Sequence, residues 1–105
     1  MTPAKRGDPA RQRALEKRRR VVTRVQTGIR IEKRILLVLR ALAGMLDLSM
    51  GDLLEGILLH AFDGKAPFGR ESLKKIKVLK EVYGLELTSE DSHRLVEVAR
   101  KRTRP

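Results

Sequence analysis

The chain has 105 residues, no cysteine and a formal net charge of +11. The lack of thiols excludes disulfides, zinc–thiolate sites and cysteine nucleophiles. No apolar run approaches the roughly 20 residues of a membrane-spanning helix, and no apolar stretch of the signal-peptide type follows the basic residues near the start of the sequence.

The positive charge is concentrated at the two ends. Residues 1–31 carry ten Lys or Arg side chains and two acids, and residues 98–105 carry four bases and no acid. Residues 32–97 between them are balanced, with ten bases and eleven acids. A near-neutral body with basic ends favours a polyanion as partner, and nucleic acid is the polyanion that we expect.

The N-terminal part divides into an arm and a strand. Residues 1–23 contain few large apolar side chains, so we predict a basic, disordered arm. Asp8 and Pro9 are typical of an N-cap and a first helical residue, and roughly residues 9–20 are expected to become helical on a partner. Residues 24–31 alternate apolar and polar side chains, a period of two that predicts a strand with one apolar and one polar face.

Helical periodicity begins at residue 33 and predicts a first helix over 33–46. Its apolar residues form two stripes, one at positions 35, 38, 39, 42 and 46 and one at positions 37, 41 and 45. A helix this apolar is expected to be buried on more than one side. Ser49 followed by Asp52 resembles a capping box and predicts a second helix over 50–62.

Residues 63–105 are predicted to be a helical extension with a basic tail. Gly and Pro mark residues 63–69 as a loop. A third helix is predicted over 70–83, with Gly84 ending it. Thr88 and Asp91 repeat the capping signature and predict a fourth helix to about residue 101. We expect these two helices to cover the second apolar stripe of the first helix, or else to serve a separate partner.

A single strand cannot satisfy its own backbone hydrogen bonds, and its simplest partner is the same strand of a second copy. The strand–helix–helix order of residues 24–62 resembles the ribbon-helix-helix family, which includes the Arc and MetJ repressors. The matching positions are the strand at 25–31 and the helical apolar residues Ile35, Leu39 and Leu42. The turn at 47–54 also resembles the family's G-x-S-x-S-E stretch. It departs at Asp47, where glycine is usual, and at Gly51, where serine or asparagine is common.

The resemblance implies a mainly α protein: a ribbon-helix-helix dimer with one intermolecular two-stranded antiparallel β-ribbon and two extra C-terminal helices. It implies that the ribbon enters the DNA major groove and reads bases through Gln26, Gly28 and Arg30. The residues expected to contact phosphates are Arg18, Arg19, Arg20, Arg24, Ser49, Met50 and Gly51. The residues expected to form the dimer core are Val25, Ile29, Ile31, Ile35, Leu39, Leu42, Leu54, Ile57 and Leu58.

The function expected from these patterns is sequence-specific binding of double-stranded DNA by a cytoplasmic, nucleoid-associated homodimer, as a transcriptional regulator, a repressor or a plasmid-partition factor. We expect no enzymatic activity, cofactor or metal, since His60 and His93 lie on different predicted elements and no nucleophile–base pair is evident. Two alternatives stay open: an antitoxin whose C-terminal helices bind a protein toxin, and a sequence-blind nucleoid or RNA-binding protein. Stacking on single-stranded RNA is disfavoured because the chain has only three aromatic residues.

Overall fold

The computed structural model describes residues 19–98, and within them the chain forms three α-helices and one short 3₁₀ helix. The helices are α1 (Lys33–Met45), α2 (Met50–Phe62) and α3 (Arg70–Val82), and the 3₁₀ helix is Ser89–Asp91. The first three predicted helices are therefore confirmed to within one residue at each end. None of the helices in this part of the chain is long and apolar enough to cross a membrane.

The three α-helices end in the same hydrogen-bonding arrangement, a Schellman motif. In each, the residue after the C-cap has a positive φ: 60° at Asp47, 71° at Gly64 and 66° at Gly84. The next residue then donates its N–H back into the last helical turn, as Leu48 does to the Ala43 carbonyl at 2.9 Å. Asp47 thus adopts the left-handed backbone that glycine usually supplies, which Asp tolerates better than most residues.

Two of the three α-helices, α1 and α2, are capped at their starts by side chains. The Glu32 carboxylate accepts hydrogen bonds from the backbone N–H groups of Arg34 and Ile35, at 2.8 and 3.0 Å, and so begins α1. The Ser49 hydroxyl accepts from the Asp52 N–H at 3.1 Å and begins α2, as the sequence predicted. Both caps satisfy backbone donors that have no partner inside the helix.

The core lies where α1 contacts both of the other helices. Among residues 19–98 the buried hydrophobic side chains are Val38, Leu42, Ala43, Leu53 and Leu79, and Leu42 is the most buried at 2% exposed. Half-buried side chains surround this cluster, including Met50, Ile57, Phe68 and Ile76. The core is small, so much of the apolar surface of the helices stays exposed.

The predicted β-ribbon is wrong for the part of the chain that the structure describes. Residues 19–32 contain neither strand nor helix, and no β-strand occurs elsewhere in residues 19–98. Alternation of apolar and polar residues favours a strand only where a second strand supplies hydrogen bonds and one face is covered. Here Val25 and Ile29 are 79% and 74% exposed. The protein remains mainly α, but the ribbon-helix-helix architecture is contradicted.

The predicted fourth helix is also wrong over the described residues. The capping box forms, because the Thr88 N–H donates to the Asp91 carboxylate at 2.9 Å and the Thr88 hydroxyl accepts from the Glu90 N–H. The helix nevertheless stops after one 3₁₀ turn, and His93 has a left-handed φ of 65°. A cap fixes only the first turn, and the exposed Leu95 and Val96 bury no face that would continue it. Residues 99–101 of this prediction lie outside the described residues.

The third helix packs on the first, but not on the stripe that the sequence suggested. Leu79 of α3 joins Val38 and Leu42, which belong to the stripe assigned to the dimer. Met45, from the stripe that α3 was expected to cover, is 51% exposed. The helical extension therefore completes the core within one chain and leaves a different face of α1 partly uncovered.

Candidate nucleic-acid interface

A run of exposed residues precedes α1 and carries four arginines. This basic segment, residues 19–31, is exposed at every position and contains Arg19, Arg20, Arg24 and Arg30. The segment contains no Asp or Glu, and the polar Gln26 lies between Arg24 and Arg30. A length of chain that is open to solvent and carries repeated guanidinium groups is well suited to contact phosphates.

The three residues predicted to read bases lie in the middle of the basic segment. Gln26, Gly28 and Arg30 are all exposed. A Cβ atom added at Gly28 would meet no atom within 4 Å, so this chain alone does not require glycine there. The Arg30 guanidinium donates to the Glu97 carboxylate at 2.5 Å, so the Arg30 side chain lies against the segment that follows the 3₁₀ helix. That hydrogen bond raises the pKa of Arg30. Base reading by Gln26, Gly28 and Arg30 stays a prediction.

Arg24 is held by two acids of α2. Its Nε and Nη2 atoms each lie 2.8 Å from a Glu55 carboxylate oxygen, and Nη2 lies 3.4 Å from Asp52 Oδ1. Both atoms of the guanidinium fork therefore contact the same carboxylate, the strongest geometry for such a pair. The hydrogen bond between the two side chains lowers the pKa of Glu55 and raises the pKa of Arg24.

The start of α2 was predicted to bind a phosphate through Ser49, Met50 and Gly51. Ser49 and Gly51 are exposed there, whereas Met50 is half-buried and packs against the core. The Ser49 hydroxyl is already used as the helix cap. The Asp52 carboxylate, in the first turn of the same helix, opposes the approach of an anion. A phosphate contact at this helix end therefore stays a prediction that the local charge does not favour.

The other predicted phosphate contacts are at the start of the basic segment. Arg19 and Arg20 are exposed. Arg18 lies outside the described residues. So does the helix expected over roughly residues 9–20, except for its last two positions.

The residues predicted to form a dimer core divide into three groups. Val25, Ile29, Ile31 and Leu58 are exposed, whereas Leu42 is buried inside the single chain. The half-buried members are Ile35, Leu39, Leu54 and Ile57. Two further apolar residues of α2, Leu59 and Phe62, are also exposed, at 64% and 76%. We call Leu58, Leu59 and Phe62 the outer surface of α2.

The acids that hold the two arginines were missed by sequence reasoning. Glu55 lies 31 residues from Arg24, and Glu97 lies 67 residues from Arg30. No local pattern links residues at these separations, because the pairing depends on how the helices pack. A second missed contact joins the Arg34 guanidinium to Glu32 and, at 3.1 Å, to the Gly84 carbonyl, which ties the start of α1 to the end of α3.

Across residues 19–98 no group of three or more His, Cys, Asp or Glu side chains could hold a metal ion. The His60 ring nitrogen Nδ1 lies 2.7 Å from the Gly56 carbonyl, a contact within α2. Comparison with known proteins found no matching family model, no similar curated protein and no similar solved structure.

Proposed function

We propose that this protein binds double-stranded DNA with sequence preference, as a transcriptional regulator or a plasmid-partition factor. The observation that carries the proposal is the basic segment, which stands outside the helical core with all of its residues exposed. Residues 1–31 together carry ten basic side chains and two acids. Their positive charge would be attracted to duplex DNA, with counterion release as the main driving force.

The spacing of the basic segment suits a groove of the duplex. Arg24 and Arg30 lie six positions apart, and a chain of that length spans at most about 20 Å, or roughly six base pairs. In our proposal Arg19, Arg20 and Arg24 contact phosphates and set the position of the segment. Gln26 and Arg30 then contact base edges, where Gln pairs best with adenine and Arg with guanine.

Two copies of the chain are proposed to act together. The core of one chain contains five buried hydrophobic side chains in the described residues, and the outer surface of α2 is left in solvent. Burying a Leu or Phe side chain contributes about 1.5–3 kcal/mol, so covering this surface on two copies would stabilise both. A two-fold pair would also present two basic segments to one DNA site.

Self-association is tested by sedimentation at micromolar concentration. The wild-type protein should sediment as a dimer, and Phe62→Lys should be monomeric because it places a charge on the outer surface of α2. Val82→Lys is the matched control, since Val82 is 66% exposed on α3. A folded wild-type monomer at these concentrations would contradict the dimer.

DNA binding is tested by selecting bound sequences from random duplex DNA. Enrichment of a palindrome or tandem repeat supports the proposal, whereas equal recovery of all sequences would favour the sequence-blind alternative. Arg30→Ala should cost about 1–3 kcal/mol against the preferred site and less against random duplex. Arg40→Ala, which removes an exposed arginine of α1, is the control for loss of charge alone.

An antitoxin is the second candidate, and one observation favours it. Residues 92–98 lack the predicted fourth helix, and Val96 and Val98 are 88% and 84% exposed. Apolar side chains on an irregular segment are suited to fold onto a protein partner. A small toxin-like reading frame beside the gene, whose product binds residues 92–98 in a pull-down with the full chain, would support this function. Loss of the interaction in a Val96→Asp variant would locate it.

A further inference from the structure

We propose that Glu55 and Glu97 are autoinhibitory residues, because their carboxylates compete with DNA for Arg24 and Arg30. This inference rests on the DNA binding proposed above and deepens it. In the absence of DNA the two acids hold the arginines against the protein. Any duplex that engages these arginines must displace the acids, so the contacts lower the affinity for random DNA and for a preferred site alike.

The Arg24 contact carries the first step of the argument. Both atoms of its guanidinium fork lie 2.8 Å from the Glu55 carboxylate, and Asp52 adds a third contact at 3.4 Å. Asp52 and Glu55 are three residues apart on α2, so they lie on one side of that helix. While Nε and Nη2 of Arg24 donate to Glu55, they cannot also donate to a phosphate. Binding DNA therefore requires the carboxylate contacts to be exchanged for phosphate contacts.

The Arg30 contact carries the second step. Arg30 and Glu97 lie 67 positions apart, and their contact joins the basic segment to the segment after the 3₁₀ helix. Both side chains are mostly exposed, at 75% and 64%. The pair is thus open to competition from solvent ions and from DNA. Two independent acid contacts, at opposite ends of the stretch that contains Gln26, hold that stretch on the protein.

The size of the effect follows from the exposure of the pairs. Exposed ion pairs contribute little to stability, so each acid should lower the affinity for random DNA by about 2- to 5-fold. Both the ion pairs and the DNA contacts weaken as salt is added, which limits the effect to low and moderate ionic strength. The contacts therefore lower the affinity for DNA modestly and do not prevent binding to a preferred site.

The central experiment compares Glu55→Gln with Glu86→Gln for binding to random duplex DNA. Glu86 is an exposed acid outside these contacts, so its substitution measures the effect of one lost negative charge. Glu55→Gln should raise the affinity for random DNA about 2- to 5-fold more than Glu86→Gln does, and should raise the affinity for the preferred site by a similar factor. In an Arg24→Ala background the additional gain should disappear. An equal gain for both Gln variants, or a gain that survives in the Arg24→Ala background, would overturn the inference.

A DNA-independent readout separates failure of this inference from failure of the proposed function. Trypsin must take an arginine side chain into its own pocket, so an Arg24 held by Glu55 should be cleaved slowly. Glu55→Gln should speed cleavage after Arg24 relative to cleavage after Arg20 in the same molecule, by about 2- to 5-fold. Unchanged cleavage would refute the contact itself, whatever the DNA result. If cleavage changes as expected but no variant binds any duplex, the proposed function fails, and the autoinhibitory role fails with it.

Discussion

Leu42→Ala is expected to cause a large loss of stability. Leu42 is 2% exposed and belongs to the cluster that joins α1 to α3. Truncating a buried leucine to alanine costs about 2–5 kcal/mol, because transfer free energy is lost and a cavity remains. At a central value of about 3 kcal/mol, and at about 4–8 °C per kcal/mol for a domain of this size, the Tm should fall by roughly 12–24 °C.

The assay is thermal unfolding followed by the helical circular dichroism signal, at one fixed protein concentration because self-association would change the Tm. Val82→Ala is the matched control, since Val82 is 66% exposed on α3. Its effect should stay within about 0.5 kcal/mol. If Leu42→Ala unfolds within a few degrees of wild type, about 1 kcal/mol or less, the packing of α1 against α3 described above is wrong.

Three further changes test the caps and the third helix. Glu32→Gln should destabilise the protein at neutral pH, and the difference in Tm from wild type should disappear on acidification. The backbone hydrogen bond donated by Ile35 lowers the pKa of Glu32. The stabilisation that Glu32 provides is therefore present above the ordinary Glu pKa and is lost as the pH falls through the lowered value. A Tm difference that is no smaller at pH 3 than at pH 7 would contradict this. Gly84→Ala should cost about 1 kcal/mol because φ is 66° there, whereas Gly44→Ala inside α1, where an added Cβ meets nothing within 4 Å, should gain about 0.5–1 kcal/mol. Truncation after Gly64 should lower helicity and cause aggregation, because it removes Leu79 from the core; a truncated chain that is soluble and equally stable would show that α3 serves a partner instead.

The three α-helices were predictable because their signals are local. Apolar spacing, the hydroxyl of Ser49 and the glycine at position 84 each act within a few residues, so they locate a helix and its ends in the sequence, although packing supplies most of the helix's stability. The cap from Glu32 is also local, but the sequence reasoning assigned residue 32 to no role. Glutamate is an uncommon N-cap, which is why the pattern gave no signal.

The errors came where the outcome depends on distant residues. The alternation at 24–31 has no partner strand in the described residues, and alternation alone supplies no hydrogen bonds. The capping box at Thr88 formed as predicted, yet the following residues found no apolar surface to pack against, and the helix ended at one turn. The same limit hid Glu55 and Glu97, whose contacts with arginines follow from packing and not from any short motif.

The small core and the proposed interfaces depend on one another physically. A folded state with few buried side chains has little stability to lose, so any partner that binds only the folded chain raises its stability by a large share. A partner present at 100 times its dissociation constant would add about 2.7 kcal/mol, comparable with the loss expected for Leu42→Ala. Saturating duplex DNA should therefore raise the Tm of Leu42→Ala measurably if the basic segment binds DNA as part of the folded protein. No such rise would be expected if residues 19–31 bind DNA independently of the helical core, because binding would then favour the folded and unfolded chains alike.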